Sequence, residues 1–197
     1  MEKVILASRN KGKLKEIQAI LEKFGMETIS RDDAGIPEFE VEETGTTFEE
    51  NSLLKAQAIL DEAHTITIAD DSGLEVEGAP GVYSARFAGE NCTFEDNNRK
   101  LLKELEGVPE EKRGAAFVSV ITMLFPDGRK LVARGECRGT ILTELHGTEG
   151  FGYDPLFLPE GENRSFAEMA PEEKNRISHR ARALEKLEDM IREKCSY

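Results

Sequence analysis

The stretch Thr65-Ile66-Thr67-Ile68-Ala69-Asp70-Asp71-Ser72-Gly73-Leu74 places two adjacent carboxylates directly after a β-branched apolar run. Residues 65–68 have the composition of a buried strand, and open α/β folds bind their ligands where strands end. Because side chains alternate between the two faces of a strand, we expect Asp70 and Asp71 to point in different directions. The sequence therefore predicts unequal roles for the two aspartates. A simple turn after the strand is the alternative, since Asp, Ser and Gly are common turn residues.

The rest of the chain alternates between strand and helix patterns. The sequence Pro126-Asp127-Gly128 between two apolar runs predicts a β-hairpin, so we expect a mixed sheet and an α/β fold. Strands are predicted at 4–7, 65–70, 117–125, 130–138 and 155–158. Helices are predicted at 11–24 and 47–63, after the capping pattern of Thr93 and Asp96, and at the end of the chain from Pro171 or Ser178.

Length and composition favour one domain over residues 1–197, because no linker or low-complexity segment divides the chain. The apolar run Val4–Ala7 is too short for a signal peptide or a membrane span. The three cysteines form no C-x-x-C pair and are odd in number, which fits a reducing compartment. We therefore expect a cytoplasmic protein without a membrane partner.

The net charge of −13 argues against a nucleic-acid partner, because proteins that bind the phosphate backbone need an extended basic surface. A small anionic ligand remains compatible with this charge. Its site would need a local cluster of Lys, Arg or backbone N–H groups, or a divalent cation.

One such cluster is predicted where the first strand meets the first helix. The sequence Ser8-Arg9-Asn10-Lys11-Gly12-Lys13 combines three basic residues with the N-terminal end of a helix, which suits a phosphate group. It is not a Walker A loop, because the leading glycine is absent and Leu14 follows Lys13. A simple helix cap with solvated lysines is the alternative.

A second constellation is acidic. Glu42 and Glu43 precede the helix that begins near Thr47, and with Asp70 and Asp71 they would suit Mg²⁺, which takes one or two carboxylates, waters and substrate phosphates. Lys55 on that helix is a further candidate partner for phosphate or carboxylate. A solvated acidic loop is the alternative for the two glutamates.

Two further segments suit a nucleobase. In Gly150-Phe151-Gly152-Tyr153-Asp154-Pro155 the flanking glycines would expose an aromatic ring for stacking, unless the ring folds into the core. The other segment is Lys174 to Arg180. A continuous helix cannot aim both His179 and Arg180 at one ligand, so joint action requires a break near Ser178, which can act as an N-cap. Their donors would match the carbonyl oxygens of an oxidised purine. A solvated basic helix start is the alternative.

Seven motifs taken together, in order along essentially the whole chain, closely resemble the inosine triphosphate pyrophosphatase family, whose bacterial members are XTP/dITP diphosphatases. The motifs are Ser8-x-Asn10-x-x-Lys13, Glu42-Glu43-Thr44-Gly45, Asn51-x-x-x-Lys55-Ala56, Ala69-Asp70-Asp71-Ser72-Gly73-Leu74, Pro80-Gly81-Val82-Tyr83-Ser84-Ala85-Arg86, Gly150-Phe151-Gly152-Tyr153-Asp154-Pro155 and Ser178-His179-Arg180.

This resemblance implies a Mg²⁺-dependent hydrolase that converts ITP, dITP or XTP to the monophosphate and pyrophosphate and so keeps deaminated purines out of DNA and RNA. It also implies a homodimer and an elongated, two-lobed α/β fold, with a central mixed sheet flanked by helices and a ligand cleft between the lobes. It makes Asp71 the general base and a metal ligand, with Glu42 or Glu43 as the other acidic metal contact. The implied triphosphate contacts are Ser8, Arg9, Asn10, Lys11, Gly12, Lys13 and Lys55; Ser72 contacts substrate; the base and sugar contacts are Phe151, Gly152, Tyr153, Asp154, Lys174, His179 and Arg180.

Three alternatives remain open at this point. The chain could bind triphosphates as a sensor without hydrolysing them, although clustered carboxylates near polyphosphate help only when a metal is present. It could bind RNA through an aromatic surface, although the basic stripe that this requires is missing. It could also be a house-cleaning pyrophosphatase for modified or pyrimidine nucleotides.

Overall fold

The computed structural model describes residues 1–8, 11–37, 45–78, 82–83, 88, 92–148 and 152–194. Seven strands and five α-helices lie within these residues. In chain order they are β1 (Glu2–Leu6), α1 (Lys11–Leu21), β2 (Met26–Ser30), α2 (Phe48–Ala63), β3 (Ile66–Val76), β4 (Val82–Tyr83), α3 (Phe94–Glu104), β5 (Gly114–Leu124), β6 (Lys130–Ile141), β7 (Phe157–Pro159), α4 (Pro171–Ile177) and α5 (His179–Lys194).

The strands form a mixed sheet in the order β2-β1-β3-β5-β6-β7, with the short β4 paired to β3. Strand β1 runs parallel to β2 and β3, whereas the pairs β3–β4 and β6–β7 are antiparallel. The predicted hairpin joins β5 to β6, and Phe125 N donates to Arg129 O across it at 3.0 Å. Gly128 has φ +94° there, a conformation that favours glycine. The predicted α/β class and mixed sheet are confirmed.

The strand that contains Asp70 and Asp71 is longer than the predicted strand over residues 65–70. Strand β3 continues through Asp70 and Asp71 to Val76. The last residue of β1 that pairs with β3 is Leu6, opposite Ile68. Both aspartates thus lie beyond the carboxyl end of the parallel neighbour although their own strand continues. The extension was not predicted because Asp, Ser and Gly are uncommon inside strands.

The first helix is also shorter than predicted. It ends at Leu21 and is followed by a 3₁₀ turn at Glu22–Phe24, and Gly25 then takes φ +72° and stops the helical path. The next residues form β2, which the sequence analysis did not predict. None of the described helices is both long and apolar enough to cross a membrane.

The chain divides into two compact units. The first comprises Met1–Asp71, Ser119–Gly135 and Ala183–Tyr197, and the second comprises Ser72–Val118 and Glu136–Arg182. Within the first unit, one face of β1 and β3 packs against α1 and α5, and the opposite face packs against α2. Buried side chains on the first face include Val4, Leu6, Ile66, Ile68, Leu21 and Leu187, and those on the second include Ile5, Ala69, Ala56 and Ile59.

The core of the second unit surrounds strands β5 and β6 and helix α3, with apolar side chains such as Leu74, Leu101, Phe117 and Phe157. Beside this core lies Arg113, which is only 4% exposed. Its guanidinium donates to Leu105 O, Ile141 O and Leu142 O at 2.8–2.9 Å. Burial lowers the pKa of Arg113 from its ordinary value. The buried cation thus satisfies carbonyls at the end of α3 and at the end of β6.

We expect Arg113→Met to lower the free energy of unfolding by about 2–4 kcal/mol, because buried carbonyls lose charged donors that water cannot replace. Urea unfolding followed by circular dichroism measures this loss. The matched control is Arg138→Met, since the Arg138 side chain is 75% exposed; its expected effect is within about 0.5 kcal/mol. Equal losses in the two variants would contradict the role of Arg113.

Candidate functional site

Four charged side chains of the first unit, Lys13, Lys55, Asp70 and Asp71, form two ion pairs that we call the Asp–Lys cluster. Lys13 Nζ lies 2.5 Å from Asp70 Oδ2, and Lys55 Nζ lies 3.2 Å from Asp71 Oδ1. Lys55 Nζ also donates to Asp70 O at 3.3 Å. All four side chains are between 14% and 28% exposed, so the cluster is accessible to a small ligand while most of its surface is packed.

Strand alternation determines which lysine meets which aspartate. Asp70 shares its strand face with Ile66 and Ile68, which pack in the core formed with α1 and α5. Asp71 shares the opposite face with Ala69, which packs beside Ala56 of α2. Lys13 belongs to α1 and Lys55 to α2, so the two pairs form on opposite sides of one strand. The predicted divergence of Asp70 and Asp71 is confirmed.

The described residues of the predicted phosphate-binding segment lie on either side of the start of α1. Ser8 follows β1, and Lys11, Gly12 and Lys13 occupy the first turn of α1, which contains no acidic residue. Lysines at the N-terminal end of a helix oppose the helix dipole, so an anion placed there is stabilised by both the charges and the dipole. Arg9 and Asn10 lie outside the described residues.

The acidic loop is described only where it joins α2. Thr47 caps α2 by accepting from Glu50 N, as its capping pattern predicts. Gly45 N donates to Asn51 Oδ1 at 2.9 Å, and a Cβ on Gly45 would lie 2.6 Å from Glu50 Cβ. The chain therefore passes close over the start of α2, where only glycine fits. Glu42 and Glu43 themselves lie outside the described residues.

A second group of candidate residues lies in the second unit. Asp154 is 3% exposed and accepts from Lys174 Nζ at 2.6 Å, so its carboxylate holds the lysine of α4 in place. Gly152 has φ +62°, and its carbonyl accepts from Asn98 Nδ2 at 3.0 Å. The Tyr153 ring packs in the core at 4% exposure. Ser72 is exposed on β3, and Phe151 lies outside the described residues.

The helix break near Ser178, which joint action of His179 and Arg180 on one ligand would require, is present. Helix α4 ends at Ile177, Ser178 has extended backbone angles, and α5 begins at His179. Ser178 Oγ accepts from Ala181 N at 3.2 Å, which is the expected N-cap contact. The half-buried His179 stacks on Phe117 with ring centroids 5.1 Å apart and planes at 18°, and Arg180 is the next residue of α5.

Comparison with known proteins decides the family. Residues 4–190 match the Ham1 family. The chain belongs to the Ham1 family. A dITP/XTP pyrophosphatase of Clostridium perfringens (strain 13 / Type A) is 51% identical over an alignment of 201 positions, gaps included, that covers 98% of each chain. The solved Ham1 protein of Staphylococcus aureus is 40% identical, with a TM-score of 0.90 over 98% of this chain and 99% of that one. The solved nucleoside-triphosphatase / dITP/XTP pyrophosphatase of Mycobacterium abscessus is 44% identical, with a TM-score of 0.84 over 96% of this chain and all of that one.

The family membership confirms the resemblance drawn from the seven motifs, and the solved Ham1 structures share the mixed α/β fold. In this Ham1 chain the structure also shows contacts that the sequence analysis missed. Asn98 anchors Gly152, and Phe117 lies against His179. The sequence did contain a signal for Asn98. Two adjacent asparagines are poor helix formers, so their presence inside a helix indicates a tertiary contact. Nothing in the sequence singled out Phe117 from other strand aromatics.

We expect Ser178→Ala to lower the free energy of unfolding by about 1 kcal/mol, because α5 loses its N-cap acceptor. Ser178→Thr keeps the hydroxyl and serves as the matched control, with a smaller expected loss. Urea unfolding of the two variants provides the comparison. If Ala and Thr were equally stable at this position, the Ser178 contact would have no role in starting α5.

Proposed function

We propose that this protein hydrolyses the non-standard purine nucleoside triphosphates ITP, dITP and XTP to the nucleoside monophosphate and pyrophosphate. The observation that carries this proposal is the Asp–Lys cluster in a chain whose relatives, similar over nearly their full length, are named dITP/XTP pyrophosphatases. Cleaving a phosphoanhydride requires a positioned water, cations near the phosphates and donors to the leaving group. A nucleophilic Ser or Cys is not needed.

Asp71 is the proposed general base and a proposed metal ligand. Its contact with Lys55 fixes the orientation of the carboxylate, which is what a base needs to accept a proton from water at a defined place. Asp70 has a supporting role in this proposal, because its side chain turns to the other face of β3 and holds Lys13. The unequal roles thus rest on the strand alternation that separates the two side chains.

The proposed phosphate contacts are basic or lie at the start of α1. Lys13 and Lys55 carry the charges, and backbone N–H groups at a helix N-terminus suit phosphate oxygens. We assign this role to Ser8, Arg9, Asn10, Lys11, Gly12, Lys13 and Lys55.

The proposed base and sugar contacts are Phe151, Gly152, Tyr153, Asp154, Lys174, His179 and Arg180, and Ser72 is a further proposed substrate contact. Donors from His179 and Arg180 would pair with the 6-oxygen of hypoxanthine or xanthine but would meet the 6-amino group of adenine. Sites that depend on such hydrogen bonds discriminate strongly, because the wrong base leaves buried donors unpaired. For Tyr153, whose ring is buried, the backbone is the part suited to this contact. For Asp154, the proposed role acts through Lys174.

Mg²⁺ is the proposed cofactor, and the carboxylate oxygens of this site suit it. Within the described part of the chain no group of three or more His, Cys, Asp or Glu residues is placed to hold a metal. Mg²⁺ commonly takes only one or two carboxylates and completes its shell with waters and substrate phosphates. Asp71, with Glu42 or Glu43, would hold the ion. When bound, the ion would neutralise charge on the phosphates.

A homodimer and a cytoplasmic location complete the proposal, the first from the family resemblance and the second from the cysteine content. Cys92 Sγ donates to Asn97 Oδ1 at 3.3 Å, and Cys137 is a buried free thiol. Burial raises the pKa of Cys137 to about 11, so this thiol is protonated and unreactive near neutral pH. Neither cysteine has a part in the proposed chemistry.

A substrate panel tests the function. With Mg²⁺ present, we expect kcat/KM for ITP, dITP and XTP to exceed the values for ATP, GTP and TTP by about 100-fold or more, since the site is proposed to read the oxopurine by hydrogen bonds. Pyrophosphate release, with the nucleoside monophosphate identified by chromatography, gives the rates and the products.

The same assay separates the alternatives. A preference for TTP would favour the pyrimidine house-cleaning alternative, and tight nucleotide binding without turnover would favour a sensor. Chelation by EDTA should stop turnover and added Mg²⁺ should restore it, whereas full activity in EDTA would contradict the proposed cofactor.

For Asp71→Asn we expect kcat with dITP to fall by about 100- to 10,000-fold, because an amide cannot act as the base. Asp70→Asn should have a smaller effect, since Asp70 is proposed only to support Lys13. Asp61→Asn is the matched control for the amide substitution, because Asp61 is exposed on α2 and contacts Gln57. Undiminished turnover by Asp71→Asn would exclude Asp71 as the base.

A further inference from the structure

Three phenylalanines and a histidine of the second unit form a continuous set of ring contacts, which we call the aromatic cluster: Phe117, Phe157, Phe166 and His179. Phe117 is the member in contact with all the others. Its centroid lies 4.6 Å from that of Phe157, 5.7 Å from that of Phe166 and 5.1 Å from that of His179. Phe157 and Phe166 are at most 1% exposed, whereas His179 is half-buried at the start of α5.

The contact between Phe117 and His179 constrains the direction of the imidazole. The ring torsion of a histidine is intrinsically broad, so the plane of the ring is set mainly by its neighbours. Here the two planes are within 18° of parallel, so the Phe117 ring covers one face of the imidazole and the stacked contact favours this ring plane. Because the nitrogens lie in the ring plane, fixing the plane fixes the directions in which they can donate or accept.

Phe117 is itself held from two sides. Phe157 meets it edge-on at 64°, and Phe166 stacks on it at 21°. Phe117 is 7% exposed, so its own ring has little room to turn. Phe157 and Phe166 together thus hold Phe117, and Phe117 in turn restricts the orientation of the His179 ring. This orientation does not depend on α5 alone.

The same cluster also contacts Lys174. The Lys174 ammonium lies 5.4 Å from the centroid of Phe166, within the range of a cation–π contact, and is ion-paired with the buried Asp154. Lys174 belongs to α4 and His179 to α5, and Ser178 separates the two helices. Two residues on different helices thus take their positions from adjacent rings of one cluster.

We propose that Phe117 is a positioning residue that determines specificity for the 6-oxopurine: its ring holds the His179 imidazole in the plane required to bind the base and, through Phe166, holds Lys174 beside it. This inference rests on the proposed function, because it takes His179 and Lys174 as contacts of the base and sugar. Phe117 does not itself contact the substrate.

The test compares Phe117→Leu with Phe157→Leu. Both remove one ring from the same core, but only Phe117 contacts His179, and in Phe157→Leu the stacked Phe166 ring still holds Phe117. Isothermal titration calorimetry with IMP measures binding to the base site without requiring turnover. We expect Phe117→Leu to weaken IMP binding about 3- to 10-fold, the size of one aromatic contact, and Phe157→Leu to change it less than about 2-fold. For dITP hydrolysis, Phe117→Leu should raise KM by a similar factor with little change in kcat.

Two further measurements show whether Phe117 acts through His179. In a His179→Ala background, Phe117→Leu should cause a clearly smaller additional loss of IMP binding than in the wild-type background, because only the route through Phe166 to Lys174 remains; a reduced effect of this kind in a double-mutant cycle identifies coupled residues. Phe117→Tyr keeps the ring and should restore most of the affinity. Thermal melting checks that each variant is folded, and Phe117→Met replaces the leucine variant if that variant is not.

Equal weakening by Phe117→Leu and Phe157→Leu would overturn the proposal and leave Phe117 as an ordinary core residue. Full affinity of Phe117→Leu for IMP, or a wild-type protein that does not bind IMP, would also overturn it. A wild-type protein that binds IMP in a Phe117-dependent manner but does not hydrolyse dITP would support the positioning role and contradict the proposed function. The two failures are therefore distinguishable.

Discussion

The alternation of side chains along β3 is the constraint on which the candidate chemistry of this protein depends. One residue of displacement along the strand separates Asp70, which faces α1, from Asp71, which faces α2. The apolar residues before them obey the same alternation, with Ile66 and Ile68 in one core and Ala69 in the other. A register that placed Asp71 on the α1 face would also expose the isoleucines, so packing and site geometry are determined together.

In the second unit, the candidate side chains lie on short helices or at the ends of helices, and contacts with other parts of the unit orient them. Asp154 begins a 3₁₀ turn, Lys174 lies on the short helix α4, and His179 begins α5. Such ends have few contacts of their own. Buried partners supply the restraint: Asn98 for Gly152, Asp154 for Lys174 and Phe117 for His179. These side chains lie within the packed part of the unit, where rotamers are restricted.

Local signals in the sequence predicted the features that are determined locally. The cap at Ser178, the cap at Thr47 and the turn at Gly128 all depend on backbone geometry within a few residues, and each was predictable from the residue types. The full length of β3 was not predictable, since its second half contains poor strand formers whose pairing is decided by neighbouring strands. The contacts of Asn98 and Phe117 were missed for a related reason, because each joins residues more than fifty positions apart.

The charge balance of the Asp–Lys cluster explains why the proposed reaction includes a divalent cation. Each lysine of the cluster already has an aspartate within hydrogen-bond distance, so the four side chains together carry almost no net charge. The chain as a whole carries a formal charge of −13 and repels a triphosphate at long range. Lys13 and Lys55 cannot fully neutralise their aspartates and a triphosphate at the same time. The proposed reaction therefore needs further positive charge, and Lys11, the start of α1 and the proposed divalent ion would supply it.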